Sequence, residues 1–248
     1  MSPSTETHEA RAGAWEIKFL IAPALAEQIR GWARTHLMPD PNAQGANGDT
    51  YRVSTLYFDT RQWDVFYRRG SYGRGKYRIR RYGQAEFAFL ERKLRTRNQL
   101  TKRRSAVELG ELERLTGGVP RPDWAGCWYH QRLQLRQLSP VCQISYDRTA
   151  RVAMTQYGAI RLTLDEDLRT RQADGFCFSA PGGTPICTDQ VILELKFRFA
   201  TPALFKYLVE EFALTPQSLS KYRLAATALG LAAIAPAAPA ENSNCQYA

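Results

Sequence analysis

Lys76, Arg78 and Arg80 fall on every second residue of GKYRIRRYG, with Tyr77 and Ile79 between them. On an extended strand successive side chains point to opposite faces, so these three cations line one face. Like charges in such a row repel, and an anion carrying several charges of its own relieves them. The arginine fork matches phosphate oxygens, so the chemistry indicated is the grip of a phosphate-rich group. The pattern recurs in VILELKFRF, where Glu194, Lys196 and Arg198 share one face and Val191, Leu193, Leu195, Phe197 and Phe199 the other. Glu91 and Lys93 share a face in FAFLERKLR, as do Arg148, Tyr146 and Ile144 in CQISYDR. Arg161, Thr163 and Asp165 do so in IRLTLDED, and Glu16 and Lys18 near the N-terminus. Glu194 admits two readings. A carboxylate among phosphate-binding cations either holds a divalent metal or pairs with a lysine across the sheet.

These faces need strands to carry them. AWEIKFLIA, YRVSTLYFD, GKYRIRRYG, AEFAFLERKLRTR, VCQISYDRTARVAM, AIRLTLDEDLR and VILELKFRF read as strands by alternation. PALAEQIRGWARTHLM reads as a helix with Pro23 at its start, TRQWDVFYRRG as a short helix, and Ser105–Thr116 and Asp123–Leu138 as two more. PALFKYLVEEF and SKYRLAATALGLAA close the domain as helices. Short turns favour antiparallel pairing, so the expected fold is α+β: one curved antiparallel sheet, closed or nearly so, with helices outside. Helices covering the outer side would leave the charged faces within. Residues 14–234 form one domain on this reading, with 1–13 and the Ala/Pro-rich 235–248 expected to be disordered.

Composition narrows the partner. A formal charge of +10, from 34 Lys+Arg against 24 Asp+Glu, favours polyanions: nucleic acid, anionic lipid or a phosphate-rich small molecule. No apolar run approaches the roughly 20 residues needed to cross a bilayer, and no secretory signal is evident. Five cysteines without a CxxC pair, and only His8, His36 and His130, argue against a zinc site or disulfide framework. A cytoplasmic chain with reduced thiols is expected.

Eight short motifs then occur in order: E-x-K at Glu16–Lys18, LYFDT at Leu56–Thr60, K-x-R-x-R at Lys76–Arg80, FLERK at Phe89–Lys93, SYDRTA at Ser145–Ala150, R-x-T-x-D at Arg161–Asp165, ILELK at Ile192–Lys196 and SKY at Ser220–Tyr222. Together they resemble the VTC domain, the polyphosphate polymerase module of the vacuolar transporter chaperone complex, one of the CYTH-like triphosphate tunnel metalloenzymes. The resemblance implies an eight-stranded antiparallel β-barrel whose interior grips a triphosphate or polyphosphate. Its grip would be Lys18, Lys76, Arg78, Arg80, Lys93, Lys102, Arg148, Arg161, Lys196 and Lys221, with Glu194 as ligand of Mn²⁺ or Mg²⁺. Arg78, Arg80, Lys93, Glu194 and Lys221 would carry catalysis, and Asp165 would orient Arg161. Ala14 stands where many tunnel triphosphatases have the first Glu of E-x-E-x-K, and no lysine occupies Gln217, Ser218 or Leu219.

The implied activity is transfer of the ATP γ-phosphate to a growing polyphosphate chain. The alternatives are a triphosphatase using the same tunnel and a non-catalytic polyphosphate-binding subunit. A basic RNA-binding domain, with Tyr77, Tyr82 and Phe87 stacking on bases, is a rival from another class. Glu91, Glu194 and Asp165 among the cations suit a metal better than a nucleic-acid track, so nucleic acid is not the expected partner. ATP, inorganic polyphosphate or triphosphate and a membrane-protein partner are, with the chain peripheral to a membrane complex.

Overall fold

The structure, a computed structural model, describes residues 7–12, 14–41, 43, 48–96 and 99–232. Its strands are β1 (Thr7–Ala12), β2 (Ala14–Ile21), β3 (Met38–Pro39), β4 (Thr50–Asp59), β5 (Gly75–Tyr82), β6 (Phe87–Thr96), β7 (Gln99–Glu108), β8 (Ser139–Thr155), β9 (Gly158–Gln172), β10 (Thr184–Pro185) and β11 (Val191–Arg198). Its helices are α1 (Pro23–His36), α2 (Cys127–Leu135), α3 (Ala203–Glu211) and α4 (Lys221–Ala228). All strands belong to one antiparallel sheet, ordered β1-β7-β6-β5-β4-β8-β9-β11-β2, with β3 on β8 and β10 on β9.

The sheet curls without closing by hydrogen bonds, so the expected eight-stranded barrel is a tunnel-like sheet whose backbone stays open. Long β8 and β9, with a bulge between Ser145 and Asp147, bend it. Side chains close what the backbone leaves open: Lys93 Nζ of β6 donates to Glu16 Oε1 of β2 at 3.0 Å.

Alternation puts one face of each strand outward. Outer Phe19, Leu162, Leu193 and Leu195 bury against Ile29 and Trp32 of α1 and Phe205 and Leu208 of α3. Outer Ile79, Leu90 and Val107 pack on Trp128, Tyr129 and Leu133 of α2. Each fully buried aliphatic side chain contributes roughly 1.5–3 kcal/mol, which fixes the strand register and so points the alternate residues inward.

α4 breaks the expectation that every helix lies outside. Its Tyr222, Ala225 and Ala226 pack on Val53, Tyr57, Ile144, Tyr146 and Ile192. Val53, Tyr57 and Tyr146 share the inward parity of the cations: Tyr57 pairs with Arg78, and Val53 with Tyr146. An apolar stripe on that face cannot be left wet, and α4 covers it, filling one end of the interior. Buried Asp59 fixes the plug, accepting from Tyr222 Oη at 2.5 Å and from the backbone N–H groups of Thr60, Val65 and Phe66.

Other expectations also shift. Residues 105–108, read as helix, continue strand β7, because Ser105 and Val107 pair with Leu90 and Ala88 of β6; a 3₁₀ segment, Leu109–Leu115, follows. The helix expected from Asp123 begins only at Cys127. Residues 61–69 form turns rather than a helix, ending in a 3₁₀ segment at Gly70–Arg74. The polar opening expected to be disordered contributes β1, paired to β7. Residues 235–248 lie outside the described residues.

Candidate functional site

The inward face is charged from strand to strand. Lys76 of β5, Lys93 of β6 and Lys102 of β7 sit directly opposite one another in successive registers. Like charges facing across a sheet are destabilising, so this row exists at the expense of the empty fold. One residue deeper along β5, Arg78 faces Glu91 across the register and donates from Nε to its Oε2 at 2.6 Å. Glu91 is buried, with Lys102 Nζ 3.1 Å and Arg104 Nε 3.2 Å from its Oε1. Three cations on one carboxylate leave positive charge over. Burial pushes the Glu91 carboxyl up, but Arg78, Arg80, Lys102 and Arg104 hold it well below the usual range.

A second layer is built on β8, β9 and α4. Arg148 grips Asp165 bidentately at 2.6 and 2.7 Å, and Lys221 Nζ lies 2.6 Å from Asp165 Oδ2. Asp165 therefore positions Arg148 and Lys221, not Arg161 as the sequence suggested. Strand parity put Asp165 and Arg161 on one face, but they lie four residues apart, while Arg148 is Asp165's direct partner across the register. Arg161 instead pairs with Asp40 at 2.9 Å and donates to Tyr51 Oη at 2.6 Å. Lys196 lies beside it, facing Arg161 on one side and Glu16 on the other.

Arg80 differs from its neighbours. It is 6% exposed, donates from Nε to Thr55 Oγ1 at 3.2 Å, and has no carboxylate within ion-pair distance among the described residues. The phenols around it register the surplus. Burial pushes Tyr82 up, yet Arg80, Arg104 and Arg78 outweigh burial and the nearby Glu91 and bring its pKa down to about 8. Tyr57 is likewise lowered: burial opposes, while Arg78, Arg80, Lys221 and Lys76 prevail. At the rim, burial and then Lys18 and Lys93 push the Lys76 ammonium down. The inward face thus carries surplus positive charge, a field that favours anions.

Tyr82 gives a pH signature. Its folded pKa near 8 lies below the ordinary 10.0, so the stability it contributes is complete above pH 10 and lost as pH falls through 8. A bound polyanion should act oppositely, neutralising the arginines and raising the phenol's pKa. Tyrosinate absorbance should therefore show one phenol titrating near pH 8 that moves up when tripolyphosphate is added. Tripolyphosphate affinity should fall as pH passes 8; an affinity flat from pH 7 to 9 would contradict this.

Glu194 faces Lys18 in register, with Lys18 Nζ 3.8 Å from Oε2, an ion pair too long for a hydrogen bond. Burial raises its carboxyl, but Lys18, Lys221, Arg148 and Lys93 hold it well below the usual range. Glu16 is near enough for the two carboxylates to affect one another's ionisation. Asp165 and Glu91 are committed to close cationic partners, whereas the Glu194 oxygens are only loosely held. No cluster of three His, Cys, Asp or Glu is present among the described residues, so the protein offers Glu194, with Glu16 nearby but held by Lys93, and the remaining ligands would be phosphate oxygens and water. That donor set fits Mg²⁺ or Mn²⁺.

Most of the sequence-derived residues meet on this face: Lys18, Lys76, Arg78, Arg80, Lys93, Lys102, Arg148, Lys196, Glu194 and Lys221, with Arg161 drawn aside by Asp40. Sequence reasoning missed Arg104, Tyr57, Tyr82 and the part of Glu16 beside Glu194. For Arg104 the signal existed, since it shares parity with Lys102 in LTKRRS.

Comparison with known proteins identifies the family and the fold. The family model of the VTC domain matches residues 14–229. A proposed adenylate cyclase from Bacillus halodurans, 14% identical, superposes with a TM-score of 0.52 over 84% of this chain and 95% of its own. A proposed adenylyl cyclase from Hippeastrum, for which a dominant triphosphatase activity is described, is 13% identical, with a TM-score of 0.47 over 88% of this chain and 96% of its own. No curated protein sequence matches.

Proposed function

Because this chain belongs to the VTC domain family, we propose that it transfers the γ-phosphate of ATP to the end of an inorganic polyphosphate chain within the tunnel. One observation carries the reading. Arg80 and Lys76 have no carboxylate partner among the described residues, and Lys102 shares Glu91 with Arg78 and Arg104, so the inward face keeps a surplus of positive charge that a multiply charged anion would balance.

The acceptor's terminal phosphate oxygen attacks the γ-phosphorus directly, the bond to the bridging oxygen breaks, and ADP leaves. No protein nucleophile is required, so catalysis rests on alignment and charge neutralisation. Arg78, held by Glu91, and Arg80, held by Thr55, present guanidinium edges to phosphate oxygens. Lys93 and Lys18, each beside a carboxylate, steady the chain as point charges. Asp165 holds Arg148 and Lys221 at the plugged end, where they meet the phosphate that reaches furthest in. Glu194 would hold a divalent cation, which would supply charge neutralisation as the diphosphate leaves. No helix among the described residues is long and apolar enough to cross a membrane.

Incubation with ATP and Mn²⁺, followed by a gel that resolves polyphosphate, tests the reading. Long chains that disappear on adding a polyphosphate-degrading enzyme are expected. Orthophosphate alone would make the protein a triphosphatase, and unchanged ATP a binding subunit.

A further inference from the structure

Two consecutive residues of α4 point to different places. Lys221 opens the helix and reaches into the tunnel, where its Nζ lies 2.6 Å from Asp165 Oδ2. Neighbours on a helix stand about 100° apart, so Tyr222 faces elsewhere. Its ring stacks on Tyr57 at 5.6 Å and meets Phe66 edge-on at 6.2 Å, and its Oη donates to Asp59 Oδ2 at 2.5 Å. Nothing local holds the start of α4. Ser220 makes no side-chain cap, the first turn has no acid, and Lys221 brings a cation to the positive end of the helix dipole. Tertiary contacts must therefore set where the helix begins, and with it where Lys221 stands.

Apolar packing does not suffice for that. The buried residues of α4 are Tyr222, Ala225 and Ala226, and apolar burial has no preferred direction. The Lys221–Asp165 pair is no anchor either, because a bound phosphate competes with Asp165 for the ammonium. What remains is Asp59. It is fully buried, and among the described residues no cation pairs with it, although cations are in excess in this chain. Its partners are dipoles: the N–H groups of Thr60 and Val65 on Oδ1, and the N–H of Phe66 with the Tyr222 hydroxyl on Oδ2. Three backbone N–H groups fix the carboxylate to the turn after β4, so the Tyr222 bond is aimed from a rigid support. A buried carboxylate without a counter-charge is costly, and apolar side chains alone would stop the tunnel end. The direction of the bond is what they could not supply.

We propose that Asp59 and Tyr222 are positioning residues for Lys221: their hydrogen bond sets the rotation and depth of α4 and so keeps Lys221 Nζ where a phosphate can reach it. Neither residue touches the phosphate chain. The proposal rests on the tunnel reading and deepens it. Without the bond α4 is free to turn or slide, and Lys221 leaves Asp165 while the cations carried on strands stay in place.

Tyr222→Phe removes the hydroxyl and keeps the ring. Tripolyphosphate affinity and melting temperature are measured on the full chain for the wild type, Tyr222→Phe, Lys221→Ala and the double variant. Tyr222→Phe is expected to bind tripolyphosphate on the order of fivefold more weakly, the range of one lost hydrogen bond, and to add nothing in the Lys221→Ala background. The melting temperature should fall in both backgrounds. An unchanged affinity in Tyr222→Phe would overturn the proposal, leaving the bond to the fold alone. The same weakening in both backgrounds would overturn it too, as an effect on the tunnel at large. A second measurement needs no ligand. Acylation of the lysines, followed residue by residue by mass spectrometry, should be faster at Lys221 in Tyr222→Phe and unchanged at Lys93 and Lys102. Equal labelling of Lys221 in variant and wild type would count against the proposal as decisively. A wild type that binds no tripolyphosphate would sink the tunnel reading, and the labelling would then decide the positioning by itself.

Discussion

Replacing Glu194 by Gln should abolish metal-dependent turnover and, with metal absent, tighten tripolyphosphate binding rather than weaken it. The sign follows from the surroundings. Glu194 stands among Lys18, Lys221, Arg148 and Lys93, and its negative charge lowers the potential that a phosphate chain meets. Removing one charge at such distances, partly screened, is worth on the order of 1 kcal/mol, so metal-free affinity should rise several-fold. Mn²⁺ binding, followed by calorimetry with tripolyphosphate present, should disappear in the same variant, because an amide is a poor replacement for a hard anionic ligand. The empty protein should lose stability, since the cations around the site lose part of their compensation. Metal binding that survives in Glu194→Gln would remove the residue from the metal site. Loss of tripolyphosphate binding with and without metal would make its role one of holding the tunnel together.

Arg80→Ala should weaken tripolyphosphate binding by about 2–3 kcal/mol, the range for a hydrogen-bonded charged partner, or roughly thirty- to a hundred-and-fiftyfold. Arg78→Ala should cost less. Arg78 already spends one N–H on Glu91 and shares that carboxylate with Lys102 and Arg104, whereas the described partner of Arg80 is a neutral hydroxyl. The two variants should also part company in the empty protein. Removing Arg78 uncovers a face of buried Glu91, which is destabilising. Removing Arg80 takes a cation out of a surplus, so the melting temperature should hold or rise and the Tyr82 phenol should move back toward its ordinary value. An unchanged affinity in Arg80→Ala, or a fall in stability as large as that of Arg78→Ala, would show that Arg80 supports the fold rather than the ligand.

Alternation alone placed Lys76, Arg78 and Arg80 on one face, and likewise Glu194 with Lys196 and Arg161 with Asp165. A period of two is a local property of the chain, and the structure keeps it in each of these strands. The antiparallel sheet and the family were legible for the same reason: each motif lies within a single strand or turn. Pairing was not legible. Which carboxylate meets which cation depends on register between strands far apart in sequence, so Asp165 was matched to Arg161, its neighbour in the chain, when Arg148 and Lys221 hold it. Whether a helix covers the outside or fills the inside depends on where the sheet's inner face turns apolar. That was decided only when Val53, Tyr57, Ile144 and Tyr146 came together from two strands and α4 settled on them. The sequence by itself determined that cations would stand in rows; the curl of the sheet turned those rows toward one another, because inward-facing charges gather only when the strands bearing them wrap round a common axis.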